Sequence, residues 1–124
     1  MFAALCDDDK YITEEIKKLL LEYAKDNRIT IDIDEFESGE ELLNSEKNYD
    51  IIVLDYQLGS TNGLTVAKEL RKRNVLSSII FLTSYPNFMI DAFEVNTFRF
   101  LLKPIDKSKF FKAIDDYIKI VDAN

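Results

Sequence analysis

Four short apolar runs each stop on a residue able to do chemistry: Phe2 to Cys6 on Asp7, Ile51 to Leu54 on Asp55, Ile79 to Leu82 on Thr83, and Phe98 to Leu102 on Lys103. Longer stretches between and after them carry apolar residues at helical spacing: Ile12, Ile16, Leu19, Leu20 and Tyr23, then Leu64, Val66, Ala67 and Leu70, and finally Phe110, Phe111, Ile114, Tyr117, Ile118 and Val121. Runs that are apolar on both faces mark the central strands of a parallel sheet, and parallel neighbours need a crossover, usually a helix. Strand and helix signals alternate five times along the chain. They predict an α/β fold: a three-layer, doubly wound (βα)5 sandwich around a five-stranded parallel sheet. In such sheets ligands bind beyond the carboxyl ends of the strands. Asp7, Asp8, Asp55, Thr83 and Lys103 are therefore expected to converge.

The remaining elements are read from weaker signals. Ile29, Ile31 and Ile33 alternate with polar residues, as in a half-exposed strand near a sheet edge. Ser38-Gly39-Glu40-Glu41 has the spacing of a capping box, with Glu41 reaching back, and starts a short helix through Leu42 and Leu43. Gly59 and Gly63 punctuate a loop, and Arg71-Lys72-Arg73 suits a helix C-terminus. Pro86 is placed to open a short helix carrying Met89, Ala92 and Phe93.

With 124 residues, 47% of them hydrophobic and 31% charged, the chain is expected to form one globular domain over residues 1–124. A net charge of -7 sets a field that repels phosphate backbones, which argues against nucleic-acid binding by this chain. Histidine is absent, so the commonest general base and zinc ligand is missing. The single Cys6 cannot form an internal disulfide and reads as a small buried residue. No apolar run approaches the roughly 20 residues of a membrane span, and the first residues lack a signal-peptide pattern. A cytoplasmic protein without membrane association is expected.

Three carboxylates brought together repel one another unless protons or a cation offset their charge, and a hard divalent ion such as Mg²⁺ is the natural solution. Asp8 and Asp55 would be ligands, a backbone carbonyl in the Tyr56-Gln57 turn a third, and Asp7 would act directly or through water. Phosphoryl transfer needs alignment and charge stabilisation more than covalent help. Asp55 can serve as the acceptor, Lys103 can pair with a phosphoryl oxygen and the Thr83 hydroxyl can donate to another. Each residue also has a plainer reading. Asp9 is best placed as a helix cap, a lone Lys103 would be a surface lysine, a lone Thr83 structural, Phe100 core, and the Phe110 to Val121 stripe core before any dimer role.

The ordered set Cys6-Asp7-Asp8-Asp9, Asp50 through Asp55 with Gly63 eight residues on, Phe81-Leu82-Thr83-Ser84, and Phe100-Leu101-Leu102-Lys103-Pro104 resembles the receiver domain family of bacterial two-component response regulators over essentially the whole chain. The resemblance implies the flavodoxin-like strand order 2-1-3-4-5, phosphorylation of Asp55 by a sensor histidine kinase, and an Asp7–Asp8 acidic pair. It also implies Mg²⁺ held by Asp8, Asp55 and the Gln57 carbonyl, a Thr83–Phe100 switch pair, and a cis Lys103–Pro104 bond. Such a chain is a phosphoacceptor that assists its own phosphorylation and dephosphorylation, not an enzyme on an external substrate. Homodimerisation on phosphorylation and transcription control through an attached DNA-binding domain are further implications. Leu58-Gly59, with Ala92-Phe93-Glu94-Val95 ahead of Phe98, is similar to receivers attached to LytTR-type domains. Gly59 stands where many receivers have Pro, and Ser84 where Ala is common. The alternatives are a metal-dependent phosphohydrolase, which commonly needs a second Asp where this chain has Gln57, and a degenerate receiver acting only in docking or dimerisation, against which the complete acidic set argues.

Overall fold

The computed structural model describes residues 1–59, 61–86 and 99–123. In chain order the elements are β1 (Phe2–Cys6), α1 (Lys10–Asn27), β2 (Asp32–Phe36), α2 (Gly39–Leu43), β3 (Ile51–Asp55), β4 (Gln57–Leu58), β5 (Thr61–Asn62), α3 (Gly63–Lys72), β6 (Ser78–Thr83), β7 (Arg99–Leu102) and α4 (Lys107–Ala123). Five of the strands form one parallel sheet in the order β2-β1-β3-β6-β7. The chain runs from β1 to the edge strand β2, then crosses back over β1 to β3. The order thus reverses between β1 and β3, which is where ligand crevices open in doubly wound sheets.

Period-two alternation divides the core between the two faces. Ala3, Leu5, Ile51, Val53, Ile80 and Leu82 pack under Ile16, Leu20 and Tyr23 of α1 and Phe110, Ala113 and Ile114 of α4. Ala4, Cys6, Ile52, Leu54, Ile79 and Phe81 face Leu42 of α2 and Val66, Ala67 and Leu70 of α3. Every residue of β3 is buried, as its unbroken apolar run requires. The last turn of α4 departs from the expected stripe, because Val121 is half exposed.

The second strand begins later than its isoleucine alternation suggests. Arg28 closes α1 in the left-handed region, with φ 55°, and the Ile29 N–H is used by the Ala24 carbonyl at 3.0 Å. The ladder therefore starts only at Asp32, although Ile29 and Ile31 still pack on the core. The α2 cap forms as read: Ser38 Oγ accepts from the Glu41 N–H at 3.2 Å. Glu41 reaches back one residue further than the motif, accepting from the Glu37 N–H at 3.0 Å. The two-stranded ribbon β4–β5 is not signalled by hydrophobic period at all. The expected helix from Pro86 through Phe93 and the start of the last strand at Phe98 fall largely outside the described residues.

The burial contrast along α4 gives a direct test. We predict that Phe110→Ala, at a fully buried position, lowers unfolding free energy by about 3–5 kcal/mol. At half-exposed Val121 the same truncation is expected to stay within about 0.5 kcal/mol. Urea unfolding of both variants checks this, and equal losses would mean that the end of α4 is core.

Candidate functional site

Backbone hydrogen bonds hold the strand ends together like the teeth of a comb. The Asp7 N–H donates to the Phe36 carbonyl at 3.1 Å, the Tyr56 N–H to Leu82 at 2.9 Å, and the Lys103 N–H to Thr83 at 2.7 Å. Residues from distant stretches thereby meet at one pole of the sheet. Lys103 Nζ lies 3.3 Å from Asp7 Oδ2 and 3.2 Å from Asp55 Oδ1. Asp7, Asp8 and Asp55 each bring a carboxylate oxygen within 4.8 Å of the others. Asp7 and Asp55 are buried and Asp8 is exposed. The Lys103–Pro104 peptide is cis, as the resemblance implied.

Asp9 takes the plainer role expected of it. Its side chain accepts from the Tyr11 N–H at 2.9 Å and caps α1, while its own N–H donates to Asp7 Oδ1 at 2.9 Å. Asp55 Oδ1 accepts from the Gln57 N–H at 3.3 Å. Thr83 is buried, and its Oγ1 accepts from the Tyr85 N–H at 3.2 Å, which leaves its proton available to a ligand. Phe100 is half-buried, with its ring centroid 6.4 Å from that of Phe81.

Burial, with the Asp7 charge second, raises the Asp55 carboxyl to about 6, against the opposing pull of Lys103 and the Gln57 N–H. Burial also raises Asp7, partly offset by the Asp9 N–H and Lys103. Burial pulls the Lys103 ammonium down, yet Asp55 and Asp7 together hold it above the ordinary lysine range. The Cys6 thiol, beneath the cluster, is pushed up to about 12 by burial and by Asp7 and Asp55, so it is an inert buried group as read.

A donor set made only of carboxylate oxygens, two of them destabilised as anions, suits a hard divalent cation. The ribbon carries Gln57 out of β3 beside Asp55, and Gly59 turns it with φ 60°. Proline, locked near about −65°, cannot adopt that angle, so this turn is incompatible with Pro at position 59. Two further residues belong to this pole. Tyr56 is buried with its ring tilted against that of Phe81, and Gly63 lies against the Asp55 backbone. The motif spacing singles out Gly63, but no sequence signal reveals what it touches.

Residues 3–115 match the model of the response regulator receiver domain. The chain is 34% identical over 120 residues to the sensory transduction protein LytT of Bacillus cereus, covering 96% of this chain and 48% of that protein. It thus spans about half the length of the curated relatives it matches. The response regulator TrrA of Thermotoga maritima, solved in complex with Mg(2+)-BeF, superposes with a TM-score of 0.81 at 28% identity, covering 94% of this chain and 97% of that one. The response regulatory domain of mrkE from Klebsiella pneumoniae shares the fold with a TM-score of 0.87 at 20% identity, over the full length of both chains.

The raised Asp55 carboxyl makes a prediction about stability in metal-free buffer. A group whose folded pKa exceeds its unfolded value stabilises the fold at low pH, and that contribution is lost as pH rises through the folded value. For Asp55 the loss runs from about 4 up through about 6. We predict that Asp55→Asn melts at least about 3 °C above wild type at pH 8 and that the gain shrinks toward pH 4.5. A thermal midpoint that falls on substitution, or a pH-independent difference, would contradict this charge strain.

Proposed function

The chain belongs to the response regulator receiver family, and from that membership we propose that it is a phosphorylation-activated switch whose phosphoacceptor is Asp55. The observation that carries this reading is Lys103 Nζ bridging Asp7 and Asp55 beside the carboxylate of Asp8. A buried acidic pair with one lysine and one exposed carboxylate matches what an acyl phosphate needs on every side.

Asp8, Asp55 and the Gln57 carbonyl would hold Mg²⁺, with Asp7 beside them. When bound, the ion neutralises charge on the acceptor and on the phosphoryl oxygens. An Asp55 carboxylate oxygen bonds to phosphorus while the phosphorus–nitrogen bond of a kinase phosphohistidine breaks, and its electron pair stays on the imidazole nitrogen. Lys103 then gives up its contact with Asp55 and pairs with a phosphoryl oxygen, and the Thr83 hydroxyl donates to another. Thr83 and Phe100 form the switch pair, acting by shifting a pre-existing equilibrium between two surfaces. In this reading Asp55 is the residue of this chain that forms the covalent bond. The side chain of Gln57 is neutral and exposed, so the position two residues after Asp55 lacks the carboxylate that a phosphohydrolase commonly needs there.

Residues 1–124 are read as one receiver domain, cytoplasmic, phosphorylated by a sensor histidine kinase and dimerising in response. Its output is read as transcription control through a DNA-binding domain in a protein of its longer relatives' design. Among the described residues no helix is long and apolar enough to cross a membrane. We predict that acetyl phosphate with Mg²⁺ adds one phosphoryl group to the chain by intact mass, that EDTA prevents it, and that Asp55→Ala abolishes it. An adduct that survives Asp55→Ala, or none on wild type, rejects the assignment.

A further inference from the structure

Gly63 opens α3, eight residues beyond Asp55. Its N–H donates to the Tyr56 carbonyl at 2.6 Å. A β-carbon there would stand 2.4 Å from the Asp55 carbonyl oxygen, 3.1 Å from Tyr56 Cα and 3.1 Å from Phe81 Cε1. The first two are backbone atoms and the third belongs to a fully buried ring, so none can swing aside cheaply. The backbone of Gly63 is not in the left-handed region, which Gly59 alone occupies among the described glycines. What this position demands is therefore space, not conformational freedom.

The contacts that limit how closely α3 approaches thus bear on Asp55 and Tyr56, the residues that lead directly to Gln57. Asn62, just before Gly63, pairs with Gln57 in the ribbon. Its Oδ1 caps α3 by accepting from the Thr65 N–H at 2.9 Å and from Thr65 Oγ1 at 3.2 Å. Gln57 is held from two sides, by its N–H on Asp55 Oδ1 and by the ladder to Asn62.

We propose that Gly63 is a positioning residue for the divalent ion. It lets α3 seat the Asp55–Gln57 segment close enough to Asp8 for carboxylates and main-chain carbonyl to meet one cation, and any side chain at this position lifts that segment away. The proposal rests on the metal site described above and adds a residue that does not touch the ion.

The test titrates Mg²⁺ into the whole chain by calorimetry, with circular dichroism reporting the fold. Gly63→Ala is expected to raise the Mg²⁺ dissociation constant roughly 10–100-fold, the range for residues that orient metal ligands. Leu70→Ala, buried further along the same helix, should lose stability while keeping wild-type Mg²⁺ affinity. Wild-type affinity in folded Gly63→Ala overturns the proposal, and so does an equal loss in Leu70→Ala. If Gly63→Ala does not fold in buffer, the titration is repeated in sucrose, which favours the compact state, and is read by the same two outcomes. Wild-type protein that binds no Mg²⁺, or that binds it equally after Asp8→Asn, overturns the metal site itself, a failure separate from that of Gly63.

Discussion

Two buried carboxylates and one lysine set the terms for this molecule. Asp7 and Asp55 lie at neighbouring strand ends with a single ammonium between them, and the third carboxylate, Asp8, is beside them. One positive charge among three negative ones leaves an uncompensated negative charge in a pocket where water screens little. Desolvation is the larger part of the strain, and the charge of Asp7 on Asp55 comes next. The fold can hold this arrangement only because strands on either side fix the backbone. Asp55 and Lys103 sit at the ends of a ladder whose last rungs are the hydrogen bonds of Tyr56 to Leu82 and Lys103 to Thr83. A cluster that would fly apart on mobile loops is thus pinned by the sheet that it destabilises, and it gains a ready affinity for whatever brings compensating charge.

That logic explains why so much of the site is legible in the sequence. In a parallel sheet a strand that ends in Asp, Thr or Lys has its side chain delivered to the same pole as its neighbours, so reading where Leu54, Leu82 and Leu102 stop is nearly the same as reading the site. Asp7, Asp8, Asp55 and Lys103 follow from that rule, and so do the unbroken burial of β3 and the helix faces of Ile16, Leu20 and Phe110. Strand order could not follow from period alone. It came from the resemblance, and counting only the strands of the main sheet the structure has the same order.

What period could not show lies where hydrogen bonding overrides hydrophobic pattern. Ile29 and Ile31 alternate like a strand, but the left-handed closure at Arg28 spends their first residues on ending α1. The β4–β5 ribbon is too short to have any period, and its signal is a turn glycine. Val121 keeps helical register with Phe110 and Ile114 and yet is half exposed. Close approach is the least visible property of all, since Gly63 reads in a sequence as loop punctuation and in space as a backbone contact under Asp55.

The rings behind the site indicate which part of the proposed switch can move. Phe81 is fully buried; its ring centroid lies 5.7 Å from that of Tyr56 and 6.4 Å from that of Phe100, and its edge abuts the space that Gly63 leaves empty. A fully buried ring in a close-packed core has no second position to occupy without opening a cavity. Phe100 is only half-buried on β7 at the end of the sheet, and water can take the place that its exposed part gives up. If Thr83 and Phe100 form the proposed switch pair, motion triggered at Thr83 is taken up by Phe100 turning against a stationary Phe81.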